Sequence, residues 1–245
     1  MSEAGEVIIL NGTSCAGKTS LVREMQAVSE RPYLAVASAD FIPMLAGKFT
    51  GVDEQIVKGL LAGKEHVDDA VHQAKASWGR PDSDLPKLGF QITVRHESGR
   101  SELHSSCGPV GWNLIAGMHR AVAAMAHAGN HVVMQDVVSE ILMRDYCVAL
   151  WGLRVYLVGL YCSLDELRRR ERARSNRGVG AVDMQFHKVH VPGMYDVTVD
   201  TEKHNPKDCA NIVLEHVHTQ PPRAFAALVG KYGALEISGW PVETF

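Results

Sequence analysis

The segment Gly12-Thr13-Ser14-Cys15-Ala16-Gly17-Lys18-Thr19 satisfies G-x-x-x-x-G-K-[ST] at every fixed position. That spacing sets a lysine and a hydroxyl residue directly behind a glycine-rich turn, an arrangement suited to holding phosphate. Gly12 and Gly17 let the backbone turn tightly enough to aim successive N–H groups, from Thr13 through Ala16, at phosphate oxygens. The helix that follows adds its positive N-terminal end. On this reading Lys18 bridges the β- and γ-phosphates of ATP, the Thr19 hydroxyl ligates Mg²⁺, and Gly12 to Ser20 form the nucleotide site. No N-K-x-D base-reading segment occurs, which argues against a GTPase. Cys15 is either a thiol activated by the helix terminus or a filler at a free position of the motif.

Two carboxylates follow apolar runs where an open sheet presents its ligands. Asp40 comes just after Tyr33–Ala37, and Asp136 just after Val132-Val133-Met134. Each suits a contact to substrate or to metal-bound water; a helix cap is the alternative, evenly balanced for Asp40 and the lesser reading for Asp136. If the strands before the loop and before Asp40 are neighbours, about 4.8 Å apart, Asp40 shares the crevice of the γ-phosphate. Residues 168–177 hold six arginines in ten, and Arg170, Arg174 and Arg177 fall on one helical face ahead of Gly178 and Gly180. A lid that swings arginines onto the transferring phosphate explains this pattern; a solvated face or a nucleic-acid patch are the alternatives. His187-x-x-His190 and His216-x-His218 have no carboxylate or cysteine at the spacing that would complete a zinc site.

These groups need a frame. Val7–Asn11, Tyr33–Ala37, His131–Met134 and Val155–Cys162 are continuous apolar runs separated by helical stretches, the pattern of a parallel sheet covered on both faces. Ile115, Met118, Val122 and Met125 form one stripe of a helix that Gly129-Asn130 stops. Tyr195, Val197 and Val199 alternate with polar residues and predict an edge strand. Phe90, Ile92 and Val94 alternate likewise and, with Glu97-Ser98-Gly99 and a second polar-rich strand, predict a β-hairpin inserted between Pro81 and Gly108. Thr219-Gln220-Pro221-Pro222 reads as a linker to a short apolar helix around Ala224–Val229.

The 245 residues are 46% hydrophobic and 22% charged with a net charge of -3, a globular composition that gives no whole-molecule attraction to nucleic acid or anionic membrane. The five cysteines are scattered and form no CxxC pair, and no apolar stretch approaches a membrane span. A soluble, cytoplasmic protein is the expectation; its oligomeric state is not legible.

Together, Ile8-Ile9-Leu10-Asn11-Gly12 with Ser14-x-Ala16-Gly17-Lys18, Asp40, Ala126-x-Ala128-Gly129 leading to Asp136-Val137, the run Arg170-Glu171-x-Ala173-Arg174-x-x-Arg177, and Tyr195-Asp196-x-x-Val199-Asp200-Thr201 resemble the chloramphenicol phosphotransferase-like family of P-loop kinases. The resemblance spans about residues 6–218. It implies transfer of phosphate from ATP to a primary hydroxyl of a small antibiotic, with Asp40 as the base that takes the hydroxyl proton. Where the family commonly carries an aspartate pair, this chain has Gln135-Asp136.

The resulting expectation is an α/β, P-loop kinase-like parallel five-stranded sheet with helices on both faces, an inserted hairpin and an arginine-rich lid. Residues 1–218 make the kinase domain, with the hairpin at 81–108 and the lid at 166–182; residues 219–245 are a C-terminal extension. The expected enzyme uses ATP and Mg²⁺ to phosphorylate a small-molecule hydroxyl, with Lys18, Asp40, Arg170, Arg174 and Arg177 catalytic and Asp40 and Asp136 touching the acceptor. A nucleotide-binding regulatory module without acceptor phosphorylation is the alternative.

Overall fold

The computed structural model describes residues 3–52, 84–97, 100–173, 181–190 and 193–232. Its frame is a five-stranded parallel sheet of β1 (Val7–Asn11), β2 (Tyr33–Ala37), β6 (His131–Asp136), β7 (Val155–Tyr161) and β8 (Val197–Asp200), in the order β2-β6-β1-β7-β8. Every residue of β1 is buried. Because strand side chains alternate between faces, Val7 and Ile9 join one core while Ile8 and Leu10 join the other. The neighbours repeat this division, with Val132, Met134 and Leu157 on the first face and Val133, Tyr156 and Val158 on the second. Each fully buried aliphatic contributes about 1.5–3 kcal/mol, and such strands remain dry only if helices cover both sides.

The first face is covered by α4 (Pro109–His127), α5 (Glu140–Ala149) and α9 (Ala224–Tyr232); α1 (Lys18–Val28) and α8 (Pro206–Thr219) pack together over the second. The expected stripe on α4 buries Met118 and Val122, with Ile115 and Met125 partly covered and His119 fully enclosed beside them. Gly129-Asn130 ends this helix as expected, with the two amides returning to the carbonyls of Ala126 and Met125.

The expected edge strand is confirmed at β8. The expected adjacency of β1 and β2 is not: β6 lies between them, so β2 is the opposite edge and Leu34 and Ala35 are exposed. An apolar run of five residues does not distinguish an edge from a centre. Asp40 is consequently two strands from the phosphate loop, whereas Asp136 is one strand away and lies in register with Asn11.

The inserted hairpin pairs β4 (Phe90–Glu97) with β5 (Arg100–Cys107) antiparallel. A third strand that the sequence reading did not anticipate, β3 (Thr50–Val52), pairs parallel with β4. Preceding β4 is the single turn α3 (Leu85–Leu88). The single turn α2 (Ser38–Phe41) follows β2.

Thr219 still belongs to α8, and the short connection after it leads into α9. Asp196 fastens that entry: Oδ1 accepts from the amides of Arg223 (2.6 Å) and Ala224 (2.9 Å), and Oδ2 accepts from Leu157 N–H (2.8 Å). Ala224, Phe225, Leu228 and Tyr232 then bury into the first core. Phe225→Ala should therefore cost about 3–5 kcal/mol in denaturant unfolding. An unchanged midpoint would show α9 to be an appendage.

Candidate active site

Asn11 ends β1 and is 1% exposed. Its Nδ2 donates to Val189 O (2.6 Å) and to the Tyr195 hydroxyl (2.9 Å), and its Oδ1 accepts from Val138 N–H (2.8 Å). Gly159 is its register partner on β7. A Cβ at Gly159 would lie 2.8 Å from the Tyr195 ring, so glycine is required for that ring to reach Asn11. The Tyr195 oxygen also meets His190 Nδ1 at 2.6 Å. Burial, and further the charge of Lys18, holds the His190 imidazole below its ordinary value.

The phosphate loop leaves this anchor. Gly17 has φ +89°, a backbone shape that favours glycine, and it feeds directly into α1. Cys15 also adopts a positive φ, 65°, and is buried, so this free position of the motif carries backbone strain. Lys18 Nζ lies against the loop, donating to Gly12 O and to Thr13 O (2.7 Å). Ser14 N–H points outward and donates to Gln185 Oε1 at 2.7 Å.

Gln135 and Asp136 are successive strand residues and so serve opposite faces. Gln135 Oε1 accepts from the Thr19 hydroxyl at 2.8 Å, on the loop side. Asp136, 5% exposed, takes Val137 N–H on Oδ1 (2.8 Å) and the Tyr146 hydroxyl on Oδ2 (3.0 Å), on the other side. There it lines a cavity of about 270 Å³ together with Phe41 after β2, Phe90 and Ile92 of the hairpin, and Met118 of α4. Met184, Gln185, Lys188 and Val189 complete the wall from α7 (Ala181–Phe186) and the turn after it. Most of this lining is apolar.

Asp40 lies outside the lining. Ser38, Phe41 and Ile42 share the cavity-facing side of their turn, while Asp40 stands about 200° round the helix from Ser38. It is exposed, and its Oδ2 accepts from Ala37 N–H at 3.0 Å, so it caps its own turn from the third position rather than from the N-cap. Arg170, on α6 (Leu164–Ala173), reaches the back of the loop: it donates to Thr201 O (2.8 Å), the Thr201 hydroxyl (3.1 Å) and Cys15 O (3.5 Å), and pairs with Glu166 (2.7 Å). Arg174 and Arg177 lie outside the described residues. Arg168 pairs with Asp183 across α6 and α7, and Arg169 pairs with Glu166.

The sequence reading missed Asn11, Gln185 and Tyr146 as site residues. Asn11 had one visible signal, a polar side chain ending an otherwise fully apolar strand. Gln185 and Tyr146 sit in ordinary helical sequence, and only packing brings them to the site.

Behind Asp136 lies a buried support. The Tyr146 ring stacks on His119 at 3.6 Å, and His119 Nδ1 meets Asp145 Oδ2 at 2.5 Å. Arg120 closes the set onto Asp145 at 3.2 Å. Burial pushes the Asp145 carboxyl up, but the His119 hydrogen bond and charge and the Arg120 guanidinium outweigh it, so the group titrates below its ordinary value. A carboxylate depressed in the folded state adds stability above its unfolded value and loses it as the pH falls. The stability gap between wild type and Asp145→Asn should thus be full above about pH 5 and shrink below about pH 4. Thermal unfolding across that range checks this, and a gap independent of pH would remove the ionised pair.

The family described as chloramphenicol phosphotransferase-like protein matches residues 5–218. A Mycobacterium tuberculosis protein of strain H37Rv, named "Putative O-phosphotransferase Rv2636", is 26% identical over 227 residues, covering 91% of this chain and 88% of its own. An unliganded sugar kinase from Janibacter sp. HTCC2649 has a similar fold, with TM-score 0.53, 12% identity, and coverage of 89% of this chain and 97% of its own. A Chloroflexus aurantiacus structure is similar at TM-score 0.50 and 15% identity, covering 89% and 98%. With its phosphate loop opening beside a cavity on a P-loop kinase sheet, the chain belongs to the chloramphenicol phosphotransferase-like family of small-molecule phosphotransferases.

Proposed function

We propose that the protein transfers the γ-phosphate of ATP to a hydroxyl of a small molecule seated in the cavity beside the loop. One observation carries this reading: Asp136, in the cavity wall, is the register partner of Asn11, the residue from which the phosphate loop departs. An acceptor hydroxyl held by Asp136 is thereby one strand from the transferring phosphate.

The residues at the loop fit a magnesium nucleotide. Ser14 N–H already holds an oxygen acceptor, Lys18 Nζ lies along the loop, and Thr19 and Gln135 present hard oxygen atoms together. When bound, Mg²⁺ neutralises charge on the phosphates. Lys18 offsets negative charge on the transferring group, and since the transition state is loose, positioning matters more than proton removal. Arg170 braces the loop against Thr201. The lid over 166–182, with Arg174 and Arg177, is proposed to add positive charge to the transferring phosphate. Tyr146 and Val137 N–H fix the Asp136 carboxylate toward the hydroxyl, and the apolar wall excludes water and suits an acceptor with an apolar body. Chloramphenicol or another antibiotic alcohol meets that description, and resistance is the corresponding physiological proposal.

The resemblance assigns the base to Asp40, but its exposed carboxylate lies outside the cavity lining that Asp136 joins; we assign the hydroxyl-facing role to Asp136. Asp136→Asn should lower turnover about 10²-fold or more with nucleotide affinity preserved. Asp40→Asn, which caps as well as Asp, should lose less, and an equal or larger loss there would hand the base role to Asp40. Lys18→Ala should lower turnover on the order of 10³-fold or more in a folded protein. Mass spectrometry of an alcohol library that includes chloramphenicol, scored for ATP-dependent gain of one phosphate, tests the function itself. Nucleotide binding with no phosphorylated product across the library would overturn it.

A further inference from the structure

We propose that Gln185 occupies a phosphate position on the loop, so that a nucleotide binds by displacing it and thereby changes the wall of the acceptor cavity. The inference rests on the nucleotide reading of the loop. Gln185 Oε1 accepts from Ser14 N–H at 2.7 Å. The backbone N–H groups of such a loop cradle phosphate oxygens, and one N–H donates in good geometry to one acceptor. An incoming phosphate oxygen and the Gln185 amide oxygen therefore compete for the same proton. The phosphate prevails because a bond to a charged acceptor is shorter and stronger than one to a neutral amide, but its apparent affinity is reduced by the fraction of molecules in which Gln185 holds the site.

Displacement carries a consequence because Gln185 also lines the cavity. Its backbone carbonyl accepts from the amides of Lys188 (2.9 Å) and Val189 (3.0 Å), and Val189 O is held by Asn11. Lys188 and Val189 line the same cavity. One residue thus borders both sites, and phosphate on Ser14 N–H frees its side-chain amide toward the acceptor. Nucleotide first and acceptor second is the binding order that follows.

The rest of α7 is tied independently. Val182 N–H donates to the Glu171 carboxylate at 3.0 Å, and Arg168 pairs with Asp183 at 2.5 Å. Replacing Gln185 removes the competitor without releasing the helix.

The test is calorimetric titration of the full chain, with Mg²⁺ present, using a non-hydrolysable ATP analogue and, separately, inorganic tripolyphosphate. Gln185→Ala should tighten both roughly 2- to 10-fold, the equivalent of one neutral hydrogen bond no longer displaced. Gln185→Glu should weaken both, since its carboxylate holds Ser14 N–H more firmly and repels phosphate. Unchanged or weaker binding by Gln185→Ala, at an unfolding midpoint equal to wild type, overturns the proposal. If wild-type protein binds neither probe, the nucleotide reading itself falls, and the inference with it.

Discussion

The side chain of Asn11 is the joint on which the site depends. Three hydrogen bonds leave one buried amide, to Val189, Tyr195 and Val138. They fasten the end of the central strand to the segment after α7, to the residues just before β8 and to the loop after β6. Val189 lines the cavity itself, and Val138 stands between two lining residues, Val137 and Ser139. A buried amide with unmet bonds costs about 1–3 kcal/mol, which favours placing these three segments together. Tyr195-Asp196, a motif pair in the sequence, divides the remaining work. Tyr195 faces Asn11, and Asp196 ties β7 to the first amides of α9.

Strand periodicity sorts the chemistry between the two faces. Gln135 turns toward Thr19 and the loop, and Asp136 toward the cavity and Tyr146. Glutamine at the first position supplies a neutral oxygen where P-loop enzymes commonly place a carboxylate near the metal. The second position keeps its carboxylate and is buried with two donors upon it. The departure at this pair thus falls on the side of the loop, and the cavity side keeps its carboxylate.

Cover for the cavity comes from elements outside the five-stranded sheet. Phe90 and Ile92 of the hairpin form one wall, and the residues after α7 form another. Burial also separates inert from useful groups. It pushes the Cys107 and Cys147 thiols up to about 12, which leaves them protonated and unreactive at neutral pH. No described helix is long and apolar enough to cross a membrane.

The sequence by itself determined the phosphate loop, the parallel sheet with two covered faces, the hairpin and the edge position of β8. These are written in local spacing: a fixed glycine–lysine interval, continuous apolar runs, and alternation of period two. It also named the two carboxylates at or just past strand ends, Asp136 and Asp40. Only the tertiary structure decided which of them reaches the cavity. Strand order arises from how helices pack across the sheet, so an apolar run cannot announce that β6 inserts between β1 and β2. Nor could Asp40 show in sequence that its turn faces it away from Phe41 and Ile42. Gln185 reaches the loop by contact across 171 positions of chain, and Tyr146 reaches Asp136 because α5 folds back on the end of β6. Such meetings are set by the packing of the whole core.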